Sequence, residues 1–138
     1  MDRNDIKNIL PHREPMLLLD EAGLVDGVSR CKYTVRGDEY FLRGHFPDNP
    51  VVPGVILCEM MAQSACLLVK ADGQQYTPYY TGLDKVKFRK KVLPGDCIEF
   101  KTEIIKRKAM FYFVRSSGYV GNALAVSGEL SFTLVKEG

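Results

Sequence analysis

The sequence predicts an α+β fold in which an antiparallel β-sheet wraps around one long, central, apolar α-helix. Three observations predict it. Residues 55–69 are apolar except for Glu59, Gln63 and Ser64. That run is too short and too interrupted for a membrane span, and a buried helix is the better reading. Most of the remaining chain reads as strands separated by turn signals, and hairpin links favour antiparallel pairing. A helix apolar on nearly every face must be covered all round. One curved sheet covers most of it, and a second subunit would complete both the cover and the sheet edges.

The elements follow in order. Ile6 to Leu10 reads as a short helix stopped by Pro11. Met16-Leu17-Leu18-Leu19 starts a strand that continues to Val25, and Asp26-Gly27 is a hairpin turn signal. The return strand runs from about Ser29 to Arg36, with Cys31, Tyr33 and Val35 alternating against polar neighbours. Gly37 to Gly54 is a long loop rich in glycine and proline, and such loops in small domains are more often functional than idle. Pro53-Gly54 marks the helix start, and the helix ends near Ala71-Asp72-Gly73. Gln74 to Pro78 is a connection. Strands are expected over Tyr79 to Val92, Cys97 to Arg107, Met110 to Tyr119 and Ala123 to Val135.

The length of 138 residues fits one domain covering the whole chain, and 46% apolar residues suffice for a core. A net charge of +2 does not imply nucleic-acid binding. The start, Met1-Asp2-Arg3-Asn4-Asp5, is polar and mixed in charge, without a signal pattern. Cys31, Cys58, Cys66 and Cys97 form no CxxC pair, and only His12 and His45 could join them in a metal site. We therefore expect no metal, no cofactor, and free thiols in the cytoplasm.

The chemistry concentrates in Gly44-His45-Phe46-Pro47 and the residues through Gln63. His45 lies in the long loop, and an imidazole can take a proton near neutral pH. A surface or packing histidine is the bland alternative. Glu59 sits in the second helical turn among apolar neighbours. A buried ionised carboxylate is costly without partners, and apolar surroundings suit a proton donor. Reaching solvent or pairing with an arginine would explain it equally well. Gln63, four residues on, shares its face, where an amide could orient the carboxylate or fill a polar seam. Gly54 lies where the helix has N–H groups without internal acceptors. With the helix dipole, these favour negative charge developing on a carbonyl that approaches closely. Permitting the turn would alone account for that glycine.

The chain resembles the 3-hydroxyacyl-acyl-carrier-protein dehydratases of the FabZ type. The resemblance rests on Leu10-Pro11-His12-Arg13 with Pro15-Met16-Leu17-Leu18-Leu19-Asp20, on Gly44-His45-Phe46-Pro47, and on Pro50-Val51 with Pro53-Gly54-Val55. It continues through Glu59 with Met61-Ala62-Gln63, then Asp84-Lys85-Val86-Lys87-Phe88-Arg89 and Pro94-Gly95-Asp96. These segments span nearly the whole chain in family order, with the same fourteen-residue step from His45 to Glu59.

The resemblance implies a hot-dog fold, a homodimer with a continuous sheet, and commonly a trimer of dimers. It implies His45 and Glu59 as catalytic residues, contributed by opposite subunits. It also implies substrate contacts at Gly54, Val55, Gln63 and Phe88, and an acyl tunnel gated by Tyr79 or its neighbour Tyr80. The substrate would be a 3-hydroxyacyl group on the phosphopantetheine of acyl carrier protein. Lys85, Lys87, Arg89 and Lys91 alternate, so on a regular strand they share a face. With Lys90 they would steer the acidic carrier, and Lys87, Arg89 and Lys90 are the expected docking residues. Met60 stands where relatives usually carry a smaller residue, and the connection from Asp72 to Pro78 is shorter than in many of them. Three rival readings are a dehydratase that also isomerises the double bond, a hot-dog thioesterase, and a non-catalytic acyl-carrier-binding protein.

Overall fold

The computed structural model describes residues 1–70 and 76–136. Two helices, α1 (Arg3–Lys7) and α2 (Gly54–Lys70), accompany six strands, with a 3-10 turn at Tyr40–Leu42 in the long loop. The strands are β1 (Glu21–Val25), β2 (Val28–Thr34), β3 (Tyr76–Phe88), β4 (Cys97–Lys108), β5 (Phe111–Val120) and β6 (Ala123–Lys136). They form one antiparallel sheet in the order β1-β2-β4-β5-β6-β3. The expected helix end at 71–73 and most of the 72–78 connection lie outside the described residues.

Period-two burial makes the sheet two-faced. Cys31 and Tyr33 of β2, Ile98 and Phe100 of β4, and Tyr112 and Val114 of β5 are buried, while their neighbours along each strand are largely exposed. This inner face packs on Met60, Met61, Ala65 and Leu67 of α2, all wholly buried. A row of buried hydroxyls also crosses that interface. Ser64 lies 3.2 Å from Ser29 and 3.0 Å from Thr102, which lies 2.7 Å from Ser116. At the β1–β2 turn, Asp26 and Gly27 both have positive φ, 52° and 77°, as a two-residue hairpin of this hand requires.

Four sequence expectations need correction. The first helix lies at Arg3–Lys7 rather than Ile6 to Leu10, because Asp2 and Asp5 form a reciprocal capping box that fixes its start. Residues 16–20 do not extend β1. Leu17, Leu18 and Leu19 are all buried in succession, so the segment wraps over the core instead of alternating in the sheet. β3 begins at Tyr76 and ends at Phe88, well short of Val92. Finally, the basic residues do not share one regular face. Lys85 has a φ of 52° and lies in a register shift between Asp84 and Lys87, and Arg89 to Lys91 fall beyond the strand.

The wrap is fastened by Asp20. Its carboxylate accepts from Arg3 (2.8 Å), Arg36 (2.6 Å) and the Thr34 N–H (2.8 Å). Burial opposes its ionisation, but the bonds from Arg36, Thr34 and Arg3 outweigh it and keep its carboxyl below the ordinary value of 3.8. A depressed carboxyl contributes stability that is present above 3.8 and lost as pH falls through its lower folded value. Asp20→Asn should therefore destabilise the protein by about 1–3 kcal/mol near neutral pH. In thermal melts at a series of pH values, the gap from wild type should close as pH drops below 3.8.

Candidate active site

His45 is placed by hydrogen bonds at both ends of its loop. Its N–H donates to Leu42 C=O (3.3 Å), and the Val51 N–H donates to its C=O (2.8 Å). Val52 N–H then donates to Val92 C=O (2.9 Å), tying the loop to the segment after β3. The imidazole stacks on Phe46, with centroids 4.2 Å apart. Its Nδ1 lies 2.9 Å from Val51 C=O. A carbonyl only accepts, so Nδ1 carries the hydrogen and Nε2 of the neutral ring is left to accept a proton.

His45 lines a cavity of about 500 Å³ with Gly54, Leu57, Phe88, Arg89 and Lys90. Here α2 begins. Ile56 and Leu57 N–H groups both donate to Pro53 C=O, and those of Gly54 and Val55 lie too early in the helix to have an acceptor within it. A Cβ added to Gly54 would stand 2.9 Å from the Phe88 ring, so the missing side chain makes room for that ring at the helix start. Val55 is 76% exposed and lines neither this cavity nor the next. Lys87 does not line the cavity, whereas Arg89 and Lys90 do.

Glu59 lines a second, smaller cavity of about 150 Å³, with His12, Gln63, Cys66, Tyr79, Tyr80 and Phe132. Gln63 is wholly buried. Its Nε2 donates to Met16 C=O (2.7 Å) and to Oε2 of Glu59 (3.0 Å), and its Oε1 accepts from the Leu18 N–H (2.9 Å). The amide therefore orients the carboxylate, one of the two roles expected of it. Tyr80 donates its hydroxyl to Cys58 C=O (2.9 Å). Burial pushes its phenol above the usual range, and the nearby Glu59 charge adds to this. Burial and the same charge also raise the Cys58 thiol.

The structure thus places most of the expected residues on two separate cavities. His45, Gly54, Phe88, Arg89 and Lys90 share one, and Glu59, Gln63 and Tyr79 share the other. The sequence reading missed His12, whose Nε2 lies 3.5 Å from Oε2 of Glu59. Its signal was its place in Leu10-Pro11-His12-Arg13. Among the described residues, no cluster of three or more His, Cys, Asp or Glu could hold a metal ion, and no helix is long and apolar enough to cross a membrane.

Six antiparallel strands around one buried helix make this an α+β protein of the hot-dog class. A family described as ApeI-like, ApeI dehydratase, matches residues 26–129. The 3-hydroxyacyl-[acyl-carrier-protein] dehydratase FabZ of Clostridium perfringens (strain SM101 / Type A) is 42% identical over 137 residues, covering 97% of this chain and 99% of the relative. That of Moorella thermoacetica is 41% identical over 138 residues, covering 97% and 96%. Among solved structures, the dehydratase heterocomplex ApeI:P from Xenorhabdus doucetiae superposes with a TM-score of 0.82 at 20% identity, covering 96% of this chain and 91% of that one. This last likeness concerns the fold. The chain belongs to the FabZ-type 3-hydroxyacyl-acyl-carrier-protein dehydratases, which are hydro-lyases.

Gln63→Leu would strand the buried Leu18 N–H, remove the donor to Met16 C=O and release Glu59. A stranded group costs about 1–3 kcal/mol. Denaturant titration should show a loss of about 2 kcal/mol or more, and hydrogen exchange should report faster opening of residues 16–18 than of the β4–β5 pair.

Proposed function

We propose that the chain removes water from a (3R)-3-hydroxyacyl group carried on the phosphopantetheine of acyl carrier protein. The product is the trans-2-enoyl thioester, made within type II fatty acid synthesis in the cytoplasm. The observation that carries this reading is the His45 ring, anchored through Nδ1 with Nε2 turned into a proton acceptor. Nε2 takes the proton from C2 of the substrate. The developing negative charge on the thioester oxygen meets the N–H groups at the start of α2 around Gly54. Glu59 gives a proton to the C3 hydroxyl, which leaves as water as the C2–C3 double bond forms. Proton return from His45 to Glu59 through solvent resets the pair.

One copy of the chain carries each half-site in a different cavity, which supports a site composed from two copies. The sheet supports it too. β3 is an end strand with β6 as its neighbour, and it presents Tyr79, Tyr80, Leu83 and Phe88 largely exposed. Pairing β3 with its counterpart in a second copy would extend the sheet and bring His45 of one protomer towards Glu59 of the other. Three such dimers form the working assembly. Tyr79, half exposed at the lining of the Glu59 cavity, gates the acyl tunnel. Lys87, Arg89 and Lys90 steer the acidic carrier toward the His45 cavity, whose rim Arg89 and Lys90 form.

Three measurements test this. Glu59→Gln should lower kcat by about 100-fold or more with the fold intact, as loss of a general acid does. His45→Ala and Glu59→Gln should each be nearly inactive, yet co-expressed chains should recover about a quarter of wild-type activity, because one of the two sites in each mixed dimer is intact. A mixture as inactive as its parents would place both residues in one protomer's site. Charge reversal at Lys87 and Lys90 should raise the KM for carrier-linked substrate about tenfold at low salt, and by less than about twofold for a short pantetheine thioester. Equal effects on the two substrates would remove the docking role.

A further inference from the structure

Gln63 and His12 both address the same oxygen of Glu59. Gln63 Nε2 donates to Oε2 at 3.0 Å, and His12 Nε2 lies 3.5 Å from Oε2. Gln63 cannot turn away, because Met16 C=O and Leu18 N–H fix both ends of its amide. His12 arrives on the wrap between α1 and β1, well away in sequence from α2. Its side chain is 22% exposed, and its Nδ1 is buried without a hydrogen-bond partner. A hydrogen on Nδ1 would be a buried donor with no acceptor, a costly arrangement. The tautomer that fits carries its hydrogen on Nε2, facing Glu59.

We propose that His12 is a positioning residue for dehydration: with Gln63 it directs two N–H groups at Oε2 of Glu59 and leaves Oε1 as the oxygen that meets the substrate hydroxyl. An oxygen approached by two donors must act as an acceptor. The transferable proton of Glu59 therefore sits on Oε1. His12 neither touches the substrate nor gains or loses a proton in the reaction. This inference rests on the reading of Glu59 as the proton donor.

The test replaces His12 with Leu, which removes the N–H, and with Gln, whose amide offers an N–H from a similar reach. Both are assayed with a carrier-linked 3-hydroxyacyl substrate beside Glu59→Gln. His12→Leu should lower kcat by about 10- to 100-fold, as misplacement of a reacting group does, with KM within about threefold of wild type. His12→Gln should return kcat to within about threefold of wild type. If His12→Leu does not fold, His12→Ala takes its place. A kcat for the Leu or Ala variant within about threefold of wild type overturns the proposal. So does a Gln variant as impaired as the Leu one, since a donor would then not be what matters. Near-normal turnover of Glu59→Gln would instead sink the proton-donor reading itself, whatever the His12 variants do.

Discussion

The amide of Gln63 is wholly buried on α2, and its bonds to Met16 C=O and Leu18 N–H join the amino-terminal wrap to the helix. A buried amide without partners is costly, so this join is under strong constraint. Its consequences reach both ways along the chain. On the wrap it sets the depth at which Leu17, Leu18 and Leu19 enter the core. On the helix it takes hold of Glu59 one turn earlier. Asp20, at the far end of the wrap, fastens the same segment to Arg3, Arg36 and β2. The second half of the wrap is thus pinned at Met16, Leu18 and Asp20, and His12 on its first half lies beside Glu59.

The separation of the two half-sites follows from helix geometry. Five residues part Gly54 from Glu59, which turns the side-chain direction by about 140° and advances it by about 7.5 Å. The Glu59 carboxylate accordingly lines a different cavity from His45 and the start of its own helix. On the proposed reading, a second copy of the helix would bring the acid to the base and the anion cradle. The open edge of β3 and its exposed aromatic residues offer the natural seam.

What the sequence made legible divides along local and long-range lines. The α2 start at Pro53-Gly54, the Asp26-Gly27 hairpin and the strands from Cys97 onward are written in local turn chemistry and periodicity, and they emerge within a few residues of their expected places. Leu17-Leu18-Leu19 misled because an apolar run carries no information about whether its cover is a sheet neighbour or a helix lying beneath it. The basic series from Lys85 to Lys91 misled because alternation assumes a regular strand, and the left-handed Lys85 breaks it. Lys85 turns instead to Glu129, 3.6 Å away. His45 and Glu59 were visible because each is chemically out of place in its own segment. His12 was not, because its place in Leu10-Pro11-His12-Arg13 does not say which side chain it meets. Only the wrap, fixed by Gln63, brings it to a carboxylate.

Rotation of α2 about its axis decides where Glu59 points, and apolar packing alone holds that rotation weakly, because the helix is apolar on nearly every face. Cores of this kind tolerate sliding that hydrogen bonds do not. Two adjacent side chains remove the freedom. Gln63 bonds to the wrap on one side, while Ser64, about 100° further round, enters the hydroxyl row of Ser29, Thr102 and Ser116 on the sheet. A turn of the helix that improved one set would break the other, and both sets are buried. Polar residues inside an apolar helix thus do for the site what additional hydrophobic contacts cannot. They select one rotational setting, and with it the direction in which the Glu59 carboxylate points.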